Sequence, residues 1–396
     1  MTQEKKTIES GAAVPVAAPV KRPAKAAPKP PPPPTFFGTF LQGLTRPSLP
    51  AVIGTLCVAL AWLAACVLFL TPANLARIDA RYLMTVEDDD YTEVSLRAFR
   101  IAAQPVKPAF AIALFGTSGT REAISDEKVI EEAVSAELGT QAPCYFLAAK
   151  ALSPYEMVGV MDHISEGFEG IVVMHIGPNF LSDSGEGRRH LIDLHRLAFQ
   201  NEVYDEELRA AGLNPPSHTG NYFLDNWRFF SVRTNDQLLH HLIAGPPVFK
   251  RHRYVDKPPL RENQRGWDDM VATAIKWMDE QAYRANRQTN RELLDRMIAR
   301  LRRNGRVELV LVEVPRNPVL SNILIPPALA SDHRAFMQQW AQQPGVHYFE
   351  LDQEAALTAD DLEDYIHLRS PAAQERYTKA LAQKLRQVAA QWKEEP

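Results

Sequence analysis

Disulfide chemistry has little to work with in this chain. Its 396 residues include three cysteines, and two of these, Cys57 and Cys66, lie inside an uncharged apolar run. Only Cys144 remains outside that run, so the rest of the chain cannot form an internal disulfide. Such a domain must build its own core, which suits the cytosol and equally a large periplasmic domain. A surplus of either charge is missing too: 44 Lys and Arg face 48 Asp and Glu, a net of −4. Nucleic acid is therefore not expected as a partner. The chain lacks a Gly-x-Gly-x-x-Gly turn, a Walker loop and a His-Glu-x-x-His pair, so neither a nucleotide cofactor nor a metal is expected. His190, His195, His240, His241 and His252 are scattered through a polar stretch without zinc-ligand spacing, as solvated or partner-facing histidines would be.

What is present divides the chain sharply. Residues 1–50 are rich in Pro, Ala and Lys, with Lys29 followed by five prolines. A polyproline stretch in such a composition buries too little surface to offset its ordering entropy, which predicts a disordered tail. Ala51 to Leu70 then runs without a charge. About 20 such residues match the hydrocarbon core of a bilayer, so 51–72 is predicted to be one transmembrane helix. Lys5, Lys6, Lys21, Arg22, Lys25, Lys29 and Arg46 precede it against Glu4 and Glu9, whereas Glu87, Asp88, Asp89 and Asp90 follow. That asymmetry predicts a single pass through an inner membrane, N-terminus cytoplasmic and the remainder periplasmic. Two cleavage readings stand beside a retained helix. Leu63-Ala64-Ala65-Cys66 has the form of a lipoprotein box, and Thr71-Pro72-Ala73 has small residues at signal-peptidase spacing. The length of the leader and the apolar continuation Val67 to Leu70 favour retention.

Residues 73–107 are predicted to be a juxtamembrane linker, and 108–396 one domain. Pro108 to Phe115, Cys144 to Ala149, Gly170 to Ile176 and Val307 to Val314 are short apolar runs suited to buried parallel strands, with His347 to Leu351 a short fifth. Between them, Ser125 offers an N-cap for a helix ending near Gly139, Pro154 to Ile164 suits a second helix, and Ala372 to Trp392 a long closing one. Strands alternating with helices imply an α/β class with a doubly wound parallel sheet. Residues of about 191–303 are polar, Arg-rich and too long for a simple connection. They are predicted to be a helical insertion lying over the sheet's C-terminal edge as a lid or docking surface.

Three segments could carry chemistry, two just after a strand and one at the domain's C-terminal end. Ligands bind outside the carboxyl ends of strands in such sheets, so these segments can converge. After the first strand comes Gly116-Thr117-Ser118-Gly119, a small, flexible loop able to project Ser118, and equally a plain turn. After the third comes Gly177-Pro178-Asn179. Its side-chain amide can stabilise a developing oxyanion, although such residues also make ordinary turns. Ahead of the last helix stands Asp364-Tyr365-Ile366-His367. A carboxylate there can hold Nδ1–H of the imidazole, leaving Nε2 to take a proton from a serine; a surface Asp and His would look the same. Arg121 could meet an anionic substrate group or simply lie on the surface.

Ser, then Asn, then Asp-x-x-His, in this order on these strand ends, resembles the SGNH (GDSL-like) hydrolase superfamily. The resemblance covers roughly Pro108 to Trp392, interrupted by the insertion. It implies an SGNH-like sheet flanked by helices, with Ser118 as nucleophile, His367 as general base, Asp364 as its orienting partner and Asn179 as oxyanion donor beside the backbone N–H of Ser118. Gly177 and Arg121 would line the substrate, and no cofactor is implied. The chain departs from the family at Thr117, where an Asp often stands, at Phe180, and at Phe146 to Lys150, which lacks the glycine of the family's second block. The single N-terminal helix and the insertion resemble the membrane-anchored proteins that partner membrane-bound O-acyltransferases in teichoic acid D-alanylation and in acetylation of alginate and related exopolysaccharides.

The resemblance implies a serine esterase or acyltransferase acting on acyl esters, acetyl foremost, of an envelope or exported polysaccharide, partnered by an O-acyltransferase or polysaccharide synthase. The competing reading is a non-catalytic scaffold that holds such a membrane enzyme, to which the missing second-block glycine would be no hindrance. The charge asymmetry around residues 51–72 gives a first test. A reporter active only in the periplasm, fused after Pro396, should be active, and the full-length protein should stay in the membrane fraction. A soluble mature form beginning near Ala73, or a lipidated Cys66, would overturn the retained helix.

Overall fold

A computed structural model describes residues 48–182, 195–199, 201–233, 243, 245–255, 257–259, 266–277 and 280–394. The tail over 1–47, His190, His240, His241 and parts of the insertion lie outside the described residues. The chain divides into two compact units, 1–61 and 62–396. Helix α1, Leu49–Phe69, is long and apolar enough to cross a membrane; its 21 residues span about 30 Å.

The domain is an α/β fold. Strands β1 (Ala111–Gly116), β2 (Cys144–Ala148), β3 (Gly170–Ile176), β4 (Val307–Glu313) and β5 (Val346–Phe349) form one sheet in the order β2-β1-β3-β4-β5. All four pairings are parallel. The apolar runs in the sequence follow from this. A parallel sheet is covered on both faces, so successive side chains along a strand all need apolar partners. In β1, Ala111, Ala113 and Phe115 face one layer while Ile112 and Leu114 face the other.

The first layer contains α2 (Asp90–Ala102), α5 (Pro154–Ile164), α7 (Glu202–Ala210), α8 (Glu280–Arg302) and α9 (Pro327–Trp340). The second contains α4 (Glu127–Leu138) and α10 (Pro371–Glu394), whose Ile130, Val134, Leu381 and Leu385 share one cluster. Two short helices open at strand ends: α3 (Ser118–Ala123) after β1, and α6 (Pro178–Leu181) after β3. The chain leaves β1 toward β2 over one face and leaves β3 toward β4 over the other. The ends of these adjacent strands therefore open onto the crevice where such sheets bind ligands.

Several expectations shift. Ser118 opens a helix rather than sitting in a flexible loop. The cap of α4 is Asp126, whose carboxylate accepts from Lys128 N–H, while Ser125 bonds Thr378. Residues 73–107 are no linker: within them α2 buries Val94, Leu96, Phe99 and Ile101 in the domain core. Nor is the acidic run 87–90 merely a flanking charge. Glu87 pairs with Lys250, Asp88 with Arg253, Asp89 with Arg233 and Asp90 with Arg121. The insertion divides: α8 packs on the first layer through Leu293, Leu294 and Met297 and is no lid, whereas Tyr254 reaches the strand ends and lies against His367. His195 is buried rather than solvated, and desolvation pushes its imidazole down to about 4.

β4 ends in a carboxylate that the fold has had to accommodate. Glu313 is fully buried. Its Oε1 lies 2.6 Å from His333 Nε2 on α9 and accepts from the Tyr348 hydroxyl at 3.1 Å, and Arg316 Nη2 stands 3.4 Å from Oε2. Burial alone would raise its pKa, but the charges of His333 and Arg316 and these bonds lower it from 4.5 to about 2. A depressed folded-state value contributes stability that is present above the unfolded value and lost as pH falls through the folded one. The stake is about 3 kcal/mol. Wild-type stability should therefore drop between about pH 5 and pH 2, and Glu313→Gln should lack that portion while being less stable at pH 7. Urea titrations that give both proteins the same pH dependence would refute this.

Candidate active site

Ser118 is the first residue of α3, directly beyond the carboxyl end of β1. Gly116 permits the tight exit from the strand. A Cβ there would lie 1.8 Å from Thr120 Oγ1 and 2.5 Å from Thr120 Cβ, so only a hydrogen lets α3 turn back over the strand end. Asp364 and His367 come from a loop just before α10, pinned from two sides. Asn317 N–H donates to the Tyr365 carbonyl at 2.8 Å, and Leu362 bridges to Leu368.

The structure brings Ser118, His367 and Asp364 together although 249 positions separate serine from histidine. His367 Nε2 is 2.9 Å from Ser118 Oγ, and Nδ1 is 2.7 Å from Asp364 Oδ2. The other carboxylate oxygen, Oδ1, accepts the backbone N–H groups of Ile366 at 3.0 Å and His367 at 2.9 Å. Burial would push Asp364 up, but the hydrogen bond and charge of His367 and those two N–H groups hold it below the ordinary carboxylate value. An ionised Asp364 accepts a hydrogen bond from Nδ1–H, which leaves Nε2 as acceptor for the Ser118 hydroxyl. The arrangement can remove the serine's proton as its oxygen attacks an electrophilic carbon.

Asn179 lies on α6, beyond the end of the neighbouring strand β3. Its Oδ1 turns back toward Gly177, where a Cβ would approach within 3.2 Å of both that oxygen and Val314 Cγ2. Gly177 is thus a buried packing position.

Arg121 is where expectation and structure part. It is 1 % exposed, neither on the surface nor open to substrate. Nη1 donates to both oxygens of Asp90 at 2.8 and 2.7 Å, and Nη2 donates to Glu122 Oε1 at 3.0 Å. A guanidinium taken out of water needs such partners, because an uncompensated buried charge costs several kcal/mol. Asp90 Oδ2 also accepts Lys150 N–H at 3.0 Å, and the Gly116 carbonyl accepts Ala149 N–H at 3.2 Å. The first two backbone donors after β2, where the second-block glycine is missing, are therefore spent inside the protein. Tyr254 gave no signal in the sequence. It stacks on His367 with ring centroids 4.2 Å apart and planes 15° from parallel. Only its aromaticity in a polar, Arg-rich stretch could have drawn notice.

No protein-family model matches the chain, and no curated protein matches it either. Among the described residues no group of His, Cys, Asp and Glu is placed to hold a metal ion.

The crowding at Gly116 yields a test. Gly116→Ala must displace Thr120, and α3 with it, at a cost of about 1–3 kcal/mol. Denaturant unfolding should show a midpoint shift of that size. An unchanged midpoint would mean that α3 is not held against the strand end as described.

Proposed function

We propose that this domain is an SGNH-type serine esterase or acyltransferase, tethered by α1 to a bacterial inner membrane with the domain on the periplasmic side. It would act on acyl esters, acetyl foremost, of a cell-envelope or exported polysaccharide. The observation that carries this reading is the continuous chain Ser118 Oγ, His367 and Asp364, at 2.9 and 2.7 Å, over the crevice between β1 and β3.

In the first half-reaction Ser118 Oγ attacks the acyl carbon while its proton passes to His367 Nε2. The Oγ–carbon bond forms and the carbon–oxygen bond to the leaving alcohol breaks, with the imidazolium returning its proton to that alcohol. In the second, a sugar hydroxyl or water loses its proton to Nε2 and takes the acyl group, and Ser118 recovers its hydrogen. Asn179 and the backbone N–H of Ser118 would receive the oxyanion. A membrane-bound O-acyltransferase or polysaccharide synthase is the partner this reading calls for, supplying the acyl group or the polymer.

A second reading, a non-catalytic scaffold for such a membrane enzyme, is favoured by one observation. The N–H groups of Ala149 and Lys150 are engaged by Gly116 and Asp90, which withholds these two donors from an oxyanion. One missing donor typically slows turnover about 100- to 1000-fold.

Purified full-length protein separates the two. A fluorophosphonate should label Ser118, and Ser118→Ala and His367→Ala should each reduce p-nitrophenyl acetate hydrolysis by about 1000-fold or more. The double variant should be scarcely worse, because the residues act as a unit. Asp364→Asn should be milder. An unlabelled wild type, or Ser118→Ala with undiminished hydrolysis and biological function, would give the field to the scaffold.

A further inference from the structure

We propose that Tyr254, carried by the insertion, is a positioning residue for His367, and that its chief effect is on the second half-reaction. The proposal rests on the reading of Ser118 and His367 as nucleophile and base. Residues 250–255 run as an irregular strap from the α2 side of the domain across α3 and α4. Lys250 N–H donates to the Glu87 carbonyl at 2.7 Å, Arg251 pairs with Glu127, and Arg253 Nη1 donates to Asp88 at 2.7 Å. The backbone N–H of Arg253 donates to both oxygens of Glu122, at 3.0 and 3.1 Å. Glu122 is fully buried, pairs with Arg121, and stands four residues after Ser118 on α3. The helix that carries the nucleophile thus also fixes the residue next to Tyr254.

From that fixed point the Tyr254 ring lies flat on the imidazole. The Lys257 ammonium sits over the tyrosine ring, 4.3 Å from its centre. Arg369 donates to the Lys257 carbonyl and ties this end of the strap to the loop after His367.

Three contacts therefore orient His367: Asp364 at Nδ1, Ser118 at Nε2 and Tyr254 on the ring face. The second vanishes during turnover, because an acylated Ser118 has no hydroxyl hydrogen to donate. The imidazole must nevertheless hold Nε2 toward the incoming water or sugar hydroxyl. Asp364 fixes one edge of the ring, and the tyrosine keeps it from tilting out of plane.

The test uses full-length protein and p-nitrophenyl acetate. Tyr254→Ala should lower kcat about 10- to 100-fold, the cost of a catalytic group displaced by about 1 Å, with KM falling alongside it so that kcat/KM changes less than about threefold, because slower deacylation lowers both in proportion. Intact-mass spectra during turnover should show acetyl-Ser118 accumulating in the variant but not in the wild type. Tyr254→Phe keeps the flat ring and should behave as wild type. Tyr254→Leu keeps bulk without the ring, should match alanine, and is the variant read if alanine unfolds. The role is overturned if alanine and leucine retain kcat within about twofold, if only KM rises, if no acetyl-enzyme accumulates, or if phenylalanine falls as far as alanine. Those outcomes with Ser118→Ala inactive overturn the positioning role alone. Undiminished turnover in Ser118→Ala overturns the reading beneath it.

Discussion

The buried charge of Arg121 is the constraint around which the candidate-site end of this domain is arranged. A guanidinium withdrawn from water is tolerated only when its donors find carboxylates, and here two answer from different directions. Asp90 comes from the start of α2 and Glu122 from the same turn of α3. Each carboxylate has capacity left over, and that capacity does structural work. Asp90 takes a backbone N–H from the loop after β2, and Glu122 takes N–H groups from the strap. One cation thereby joins four segments that are distant in sequence, three residues from the candidate nucleophile.

The same arrangement explains the unusual loop after β2. The N–H groups of Ala149 and Lys150 are committed to holding α2 and β1 rather than facing the crevice. Ala151, in that loop, sits in the left-handed region at φ 53, a conformation for which glycine is better suited. Arg196 steadies it by donating to the Ala151 carbonyl. The loop has its own architecture rather than an eroded version of another one.

How much of this was legible beforehand follows the range of each interaction. The sheet was readable because covering both faces of a strand leaves an uninterrupted apolar run, as in Gly170–Ile176. Asp364 and His367 were readable because three positions suffice to bring carboxylate and imidazole together, and α10 marks where the loop ends. The helix α2 was missed because its charged first turn resembled the flank of an apolar segment. Arg121 was misjudged since its chief partner lies 31 positions upstream. Nothing local marks a residue whose burial is decided by a distant carboxylate. Tyr254 was invisible for the same reason, being placed by hydrogen bonds to a helix that precedes it by more than a hundred residues.

The distance along the chain between Ser118 and His367 also governs when the site can exist during folding. Closing a loop of 249 positions means that Ser118 is synthesised long before His367. All four strand pairings are parallel, so none can start as a local hairpin, and such topologies fold slowly. The last helix, α10, completes the second layer by packing against α4. Until it arrives, Ser118 has no imidazole beside it and the apolar side of α4 has only the sheet for cover. The contacts of Ser118, His367 and Asp364 are thus withheld until the last helix has docked, and their presence becomes a report that the sheet and both its layers have assembled.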